Sequence, residues 1–284
     1  MDVLVLGASG MLGHTMLRVM CENEDWQVLG TVRSEKVISQ LPAHLAGNII
    51  SDVDIANEDS LEEIIRKHQP DIVINCIGVT KNLNDSDNPL VVIPINSVLP
   101  HRLEKICTDI NSRVIHISTD CVFAGDKGNY KEDDIADARD LYGLSKCLGE
   151  LHSQNAITLR TSIIGHEIQA QNGLLEWFLS QEGHCKGYVQ AIFSGLPTVT
   201  LAEIIRDHVI PNKDLSGLYH VAGPAIAKYD LLKIIAKEYN KNIDIVRDEA
   251  LNINRSLNAD KFQGTTGYIA PDWPSLVKSM HNYN

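Results

Sequence analysis

The sequence predicts an α/β fold, in which a large doubly wound parallel sheet is followed by a smaller α/β cap. Short runs rich in Val, Ile and Leu alternate with amphipathic segments through the first 165 residues, the rhythm of strands joined by helical crossovers. The runs stay apolar on both alternating faces, as strands covered by helices on both sides must be. A glycine-spaced turn closes the first run, at the strand end where open α/β sheets hold their ligands.

DVLVLG (2–7) opens the chain as a strand; WQVLGTV (26–32), NIISDV (48–53), DIVINCIG (71–78), RVIHIST (113–119) and AITLRTS (156–162) continue the series. Between them LGHTMLRVMCEN, SLEEIIRKH and LPHRLEKICTDI place apolar residues three and four apart, which puts them on one helical face. Such segments are long enough to serve as right-handed crossovers between parallel strands. After about residue 165 the rhythm loosens into GLLEWFLSQ, TLAEIIRDHVI, GLYHVAG, YDLLKIIAKEY and NIDIVRD, with no internal repeat and no proline-rich linker. Residues 1–165 are expected to form the main sheet and 166–284 mainly the cap, with a soft boundary that the chain can recross and a cleft shared between the two.

Composition narrows the function classes. A formal net charge of −12 argues against a general nucleic-acid or anionic-membrane binder, which needs a basic footprint. The chain opens MDVLVLGASG, without a basic leader, and no apolar run reaches membrane-spanning length, so a cytoplasmic location is expected. The six cysteines lie far apart with no CxxC pair and are expected to be reduced. The eleven histidines show neither HExxH nor HxxxH, and no metal is expected.

Directly after the first strand stands GASGMLG, with Gly7, Gly10 and Gly13 spaced G-x-x-G-x-x-G and Ser9, Met11 and Leu12 between them. Glycine there permits the tight turn, and the missing side chains let a pyrophosphate reach the backbone amides at the next helix's N-terminus. The second strand ends in TVRSEK, with Arg33 twenty residues beyond Gly13. An acid at that place would bind a ribose 2′-hydroxyl, whereas Arg33 followed by Ser34 suits a 2′-phosphate, which favours NADP(H) over NAD(H). An exposed arginine at a strand end is the structural alternative.

With the loop, SDV (51–53), NCIG (75–78), ISTD (117–120) and YGLSK (142–146) in order, the chain resembles the extended short-chain dehydrogenase/reductase superfamily, which has a Rossmann-type sheet. The resemblance implies that Asp52 and Val53 hold an adenine, that Cys76, Ile77 and Gly78 form the strand end beside the cofactor ribose, and that Ser118 also borders the cofactor. It makes Thr119, Tyr142 and Lys146 a catalytic trio. Hydride delivery to a ketone leaves negative charge on oxygen, which needs a proton and a hydrogen bond as it develops. Tyrosine titrates about three units above neutrality, so a lysine one helical turn away, able to touch both phenol and ribose, suits the task. The spacing alone is not diagnostic, because YDLLK repeats it at Tyr229 and Lys233; no strand-end hydroxyl precedes that pair, and Tyr229 is expected to be structural.

Within the superfamily, ISTDCVFAGDKGNYKEDD, LRTS, GLYHVAG and NRSLNADKF most resemble the dTDP-4-dehydrorhamnose reductase family, which implies NADPH-dependent reduction of the C4 ketone of a nucleotide-linked 4-keto-6-deoxyhexose. The implied partner is a nucleotide-diphosphate sugar, and a homodimer is compatible with the family. Three departures stand out: Cys121 replaces the family's usual tyrosine, Ala124 its aspartate, and Ile163 the tryptophan that lies against the sugar. A different hexose, such as a UDP-linked 2-acetamido sugar, accounts for them as well as drift does. Cys121, Ile163, Thr119 and Lys81 are the substrate candidates. Asn96 is either a family position near the active helix or an N-cap; Arg160 and Arg255 either meet substrate phosphates or form structural ion pairs; Trp177 reads as cap core. An NAD-dependent epimerase or dehydratase, and a non-catalytic NADP-binding regulatory subunit, are the alternative functions.

Overall fold

The computed structural model describes residues 1–55, 57–81, 85–168 and 172–283. Strands β1 (Asp2–Leu6), β2 (Gln27–Thr31), β3 (Ile49–Ile50), β4 (Ile72–Asn75), β5 (Arg113–Thr119) and β6 (Ala156–Thr161) arise from the six early runs. They build a sheet in the order β3-β2-β1-β4-β5-β6 with every pairing parallel. Helices α1 (Met11–Cys21), α2 (Glu58–His68), α3 (Pro89–Ile93) and α4 (Leu99–Asp109) are the crossovers. Between α3 and α4 the chain widens into a π turn, Pro94–Val98. The strand order reverses between β1 and β4, and a crevice opens at such a switch point.

The period of two along β1 explains why both faces are covered. Val3 and Val5 join a core cluster with Met16, Leu17 and Met20 of α1, whereas Leu4 and Leu6 face the other way into a cluster with Leu61 of α2 and Leu103 of α4. All four strand residues are at most 2% exposed. Burial at this level contributes about 1.5–3 kcal/mol for each such side chain.

Helix α5 (Leu141–Leu148) precedes β6 and carries YGLSK. Beyond β6 come β7 (Ile163–Ile164), α6 (Leu174–Ser180), β8 (His184–Phe193), β9 (Leu196–Pro197) and α7 (Thr198–Ile204). The chain then recrosses: β10 (Gly217–His220) pairs in parallel with β6 and becomes the seventh strand of the large sheet. Finally β11 (Ile226–Ala227), α8 (Lys228–Glu238), β12 (Asp244–Asn254), α9 (Asp260–Thr266) and α10 (Trp273–Asn282) complete the chain. A second sheet has the order β11-β8-β12, and β7 and β9 form a short parallel pair. Leu231 and Ile235 of α8 and Trp273 and Leu276 of α10 belong to the same buried cluster as Val3 and Val5, so one core runs through both parts. Among the described residues no helix is long and apolar enough to cross a membrane. All six cysteines are free thiols.

Candidate active site

The glycine loop owes its shape to close contacts. Gly7 has φ of 82°, in the left-handed region, and its carbonyl accepts the Gly10 N–H at 3.0 Å. A Cβ at Gly13 would overlap the Gly7 carbonyl oxygen and stand 2.7 Å from the carbonyl carbon, so α1 reaches the loop only with glycine there. The helix has no side-chain cap and no acid in its first turn. Its first amides and the positive end of its dipole therefore face the loop uncompensated, a cradle for a diphosphate.

The cradle opens into a cleft of about 250 Å³ at the switch point. Of the residues expected at a cofactor, Gly7, Ser9, Gly10, Arg33, Val53, Cys76, Ile77 and Gly78 line it. Thr31, Val32, Asp54, Ile55, Val79 and Ile95 join them without having been singled out. Met11, Leu12 and Gly13 stand outside the lining, in α1. Ser34 caps the 3-10 turn that follows it, accepting the Lys36 N–H at 3.3 Å. Asp52 is exposed, with φ of 59°, and accepts the Ser51 hydroxyl at 2.9 Å; Val53 is the buried member of that pair. Ser118 turns its hydroxyl away, donating to Glu150 at 2.7 Å.

Thr119 and Tyr142 are in contact, and Lys146 follows Tyr142 by one turn of α5 and acts on Cys76 of the cleft lining. Thr119 ends β5, its hydroxyl donating to Asp120 at 3.3 Å and accepting the Cys121 N–H at 3.1 Å. Tyr142 lies beside it within hydrogen-bonding contact, which favours the phenolate, but burial dominates and holds the phenol well above its usual range. At neutral pH Tyr142 is thus a neutral proton donor. Lys146 is 5% exposed; it donates to the Ile117 carbonyl at 2.7 Å and lies 3.4 Å from His116 Nε2. Burial brings it down to about 8, against the opposing pull of Glu150 and Cys76.

Small residues let this helix come so close. A Cβ at Gly143 would overlap the Cys121 carbonyl and lie 2.5 Å from Ala138 Cβ, and one at Gly149 would overlap the Asn96 carbonyl. Asp140 caps the helix by accepting the Gly143 N–H at 2.9 Å and binds Lys81 at 2.9 Å. Lys81 in turn stands 5.6 Å from the centre of the Tyr142 ring, a cation over its face. An acid three residues before a backbone amide it caps is a sequence signal, and Asp140 was legible on that ground. Asn96 caps no helix. Its side chain clamps Val79 through both N–H and carbonyl, at 2.8 and 3.0 Å, and donates to Ser145 at 3.1 Å, fastening the cleft wall to α5.

The other candidates settle differently. Arg160 and Glu150 form a buried bidentate pair, 2.7 Å through each arm, shared with Ser118 and His220. Arg255 donates to the Phe123 carbonyl at 2.7 Å and lies 3.9 Å from Cys121 Sγ, facing the buried Asp120. Burial pushes Cys121 up to about 11. Ile163 is half-buried in β7, and Trp177 is 37% exposed on α6. The look-alike pair is packed: a Cβ at Gly187 would press on Tyr229, and Lys233 and Arg247 stand 5.4 and 5.0 Å from its ring centre.

Residues 1–282 match the family described as RmlD substrate binding domain. A probable low-salt glycan biosynthesis reductase, Agl14, of Haloferax volcanii is 33% identical over 58% of this chain and 54% of its own, so that match spans about half of the relative. The dTDP-4-dehydrorhamnose reductase of Aggregatibacter actinomycetemcomitans is 26% identical over 99% of this chain and 98% of its own. Among solved structures, dTDP-4-dehydrorhamnose reductase from Bacillus anthracis in complex with NADP superimposes with a TM-score of 0.81, at 19% identity, over 100% of this chain and 98% of that one.

Proposed function

Because the chain belongs to the RmlD substrate binding domain family, we propose that it is an NADPH-dependent reductase of the C4 ketone of a nucleotide-linked 4-keto-6-deoxyhexose. The observation that carries the reading is the Thr119–Tyr142 contact, with Lys146 one helical turn away beside Cys76 of a cleft that has an open glycine cradle. The cradle fits a dinucleotide: Gly13 leaves the room, the first amides of α1 meet the diphosphate, and exposed Arg33 on the cleft wall meets a 2′-phosphate. That NADP(H) is the cofactor is consistent with the NADP held by the Bacillus anthracis enzyme. When bound, the cofactor supplies the hydride.

The residues divide the remaining work. Tyr142, kept as a neutral phenol by burial, gives its proton to the ketone oxygen. Thr119, already in contact with Tyr142, redirects its hydroxyl to the same oxygen and holds it in line. Lys146 lies one turn from Tyr142 and offers its ammonium to the ribose, while its charge stabilises the phenolate left behind. Lys81 and Arg255, both of which act on Cys121, supply local positive charge for an anionic substrate in an otherwise acidic protein. The nucleotide and diphosphate would lie against residues 166–284, the part we take to be mainly the substrate-binding cap.

The test is NADPH oxidation with dTDP- and UDP-linked 4-keto-6-deoxy sugars. Tyr142→Phe is expected to lose about 10²–10⁴ of the rate, and Tyr229→Phe is expected to match wild type. Full activity in Tyr142→Phe would refute the mechanism. Product formed without net NADPH oxidation would point instead to an epimerase or dehydratase, and binding of NADPH with no turnover in either series to a regulatory subunit.

A further inference from the structure

His116 sits in the middle of β5, fully buried, and nothing in the sequence singles it out. Its Nδ1 is 3.1 Å from the Asn75 amide nitrogen, and the Asn75 carbonyl accepts the Ile77 N–H at 3.1 Å. A backbone N–H can only donate, so Ile77 fixes Asn75 with its oxygen toward the backbone and its NH₂ toward the imidazole. That NH₂ can also only donate. Nδ1 must therefore present its lone pair, and the single proton of the neutral ring lies on Nε2. Facing Nε2, 3.4 Å away, is another donor, the Lys146 ammonium.

We propose that Asn75 and His116 are positioning residues for Lys146, because the tautomer they lock denies the ammonium a second acceptor on that side and turns its spare N–H groups toward the ribose hydroxyls of a cofactor in the cleft. The Ile117 carbonyl takes one of the three protons at 2.7 Å, which holds the amine in place without using it up. The chain of donors begins at Ile77, itself part of the cleft wall, so two hydrogen bonds carry the orientation of the cleft wall to the imidazole that faces the lysine. An N–H aimed at the ammonium makes it easier to deprotonate, in the same direction as burial; Glu150 and Cys76 act in the opposite sense on Lys146, and His101 is the other titratable group acting on His116. The inference rests on the proposed role of Lys146, but its test needs no turnover.

In ¹⁵N-labelled protein the His116 ring nitrogens are assigned by their loss in His116→Gln. The expected result between pH 6 and 8 is a protonated Nε2 and a bare Nδ1; an Nδ1–H tautomer or an imidazolium overturns the proposal. Asn75→Asp offers acceptors to both Ile77 and His116, so the proton moves to Nδ1 and Nε2 becomes an acceptor for Lys146. The Lys146 titration, followed through its ¹³Cε shift, is then expected to rise from about 8 by about one unit or more. A converted tautomer with an unmoved lysine also overturns the proposal. The tautomer is read in the wild-type protein, so an Asn75→Asp chain that fails to fold still leaves a decisive measurement. Absence of turnover on every nucleotide sugar, with the tautomer as expected, counts against the proposed activity and not against this inference.

Discussion

Lowering the pH should destabilise the protein, and one residue, His220, contributes an amount that its surroundings fix. The ring is fully buried; Nδ1 is 3.0 Å from the Tyr130 carbonyl and Nε2 3.3 Å from Arg160 Nη1. A carbonyl only accepts and a guanidinium only donates, so the imidazole is neutral with its proton on Nδ1. Burial first, and the Arg160 charge second, lower it from 6.5 to about 4. An unfolded imidazole takes up a proton as the pH falls below 6.5, whereas the folded one resists until about 4; the unfolded chain binds more protons across that window, and stability falls with pH. Between pH 7 and pH 5 the loss from this residue is about 2 kcal/mol. Urea unfolding at both pH values, for wild type and His220→Gln, isolates it from the contributions of His14 and His116, which burial also lowers. Glutamine keeps a donor for Tyr130 and an acceptor for Arg160. The stability gap between the two proteins should shift by about 2 kcal/mol in the variant's favour at pH 5, and an equal pH slope for both would refute the reasoning.

Two further substitutions probe the cofactor end. Gly13→Ala forces a methyl group onto the Gly7 carbonyl; NADPH affinity, read by fluorescence titration, should fall at least about tenfold with about 1–3 kcal/mol of stability, and unchanged binding would mean that the loop is not the cradle. Arg33→Ala should weaken NADPH by roughly tenfold or more, as loss of a charged hydrogen bond implies, while leaving NADH nearly untouched. Equal losses for both cofactors would remove Arg33 from 2′-phosphate recognition.

What could be read from the chain was what depends on near neighbours. DVLVL alternates its faces whatever surrounds it, and GASGMLG forms its turn from its own backbone. YGLSK and YDLLK are separated by side-chain size: Gly143 and Ser145 are small enough for α5 to sink against the Cys121 carbonyl, which buries Lys146, whereas the corresponding Asp230 is exposed and Leu232 buried. The polar links that hold the site were invisible because they join distant positions. Asn75 and His116 are 41 residues apart, and Arg160 and His220 are 60 apart; nothing local in either strand foretells its partner. The long reach of β12 was hidden too, since DEALN is polar and mostly exposed, as an outer strand of a small sheet can be.

The return of the chain as β10 bears on how the protein is made. A ribosome delivers β6 about 55 residues before the strand that must lie beside it, and until then β6 offers its backbone N–H and C=O groups to any extended segment nearby. The nascent chain therefore passes through a stage in which the glycine loop and YGLSK are already synthesised while an edge of the sheet stands open to mispairing. Cutting the gene near residue 165 would make that transient stage permanent, so the fragment is expected to aggregate, and slow passage through the codons for 166–220 would lengthen the exposure in the full-length protein.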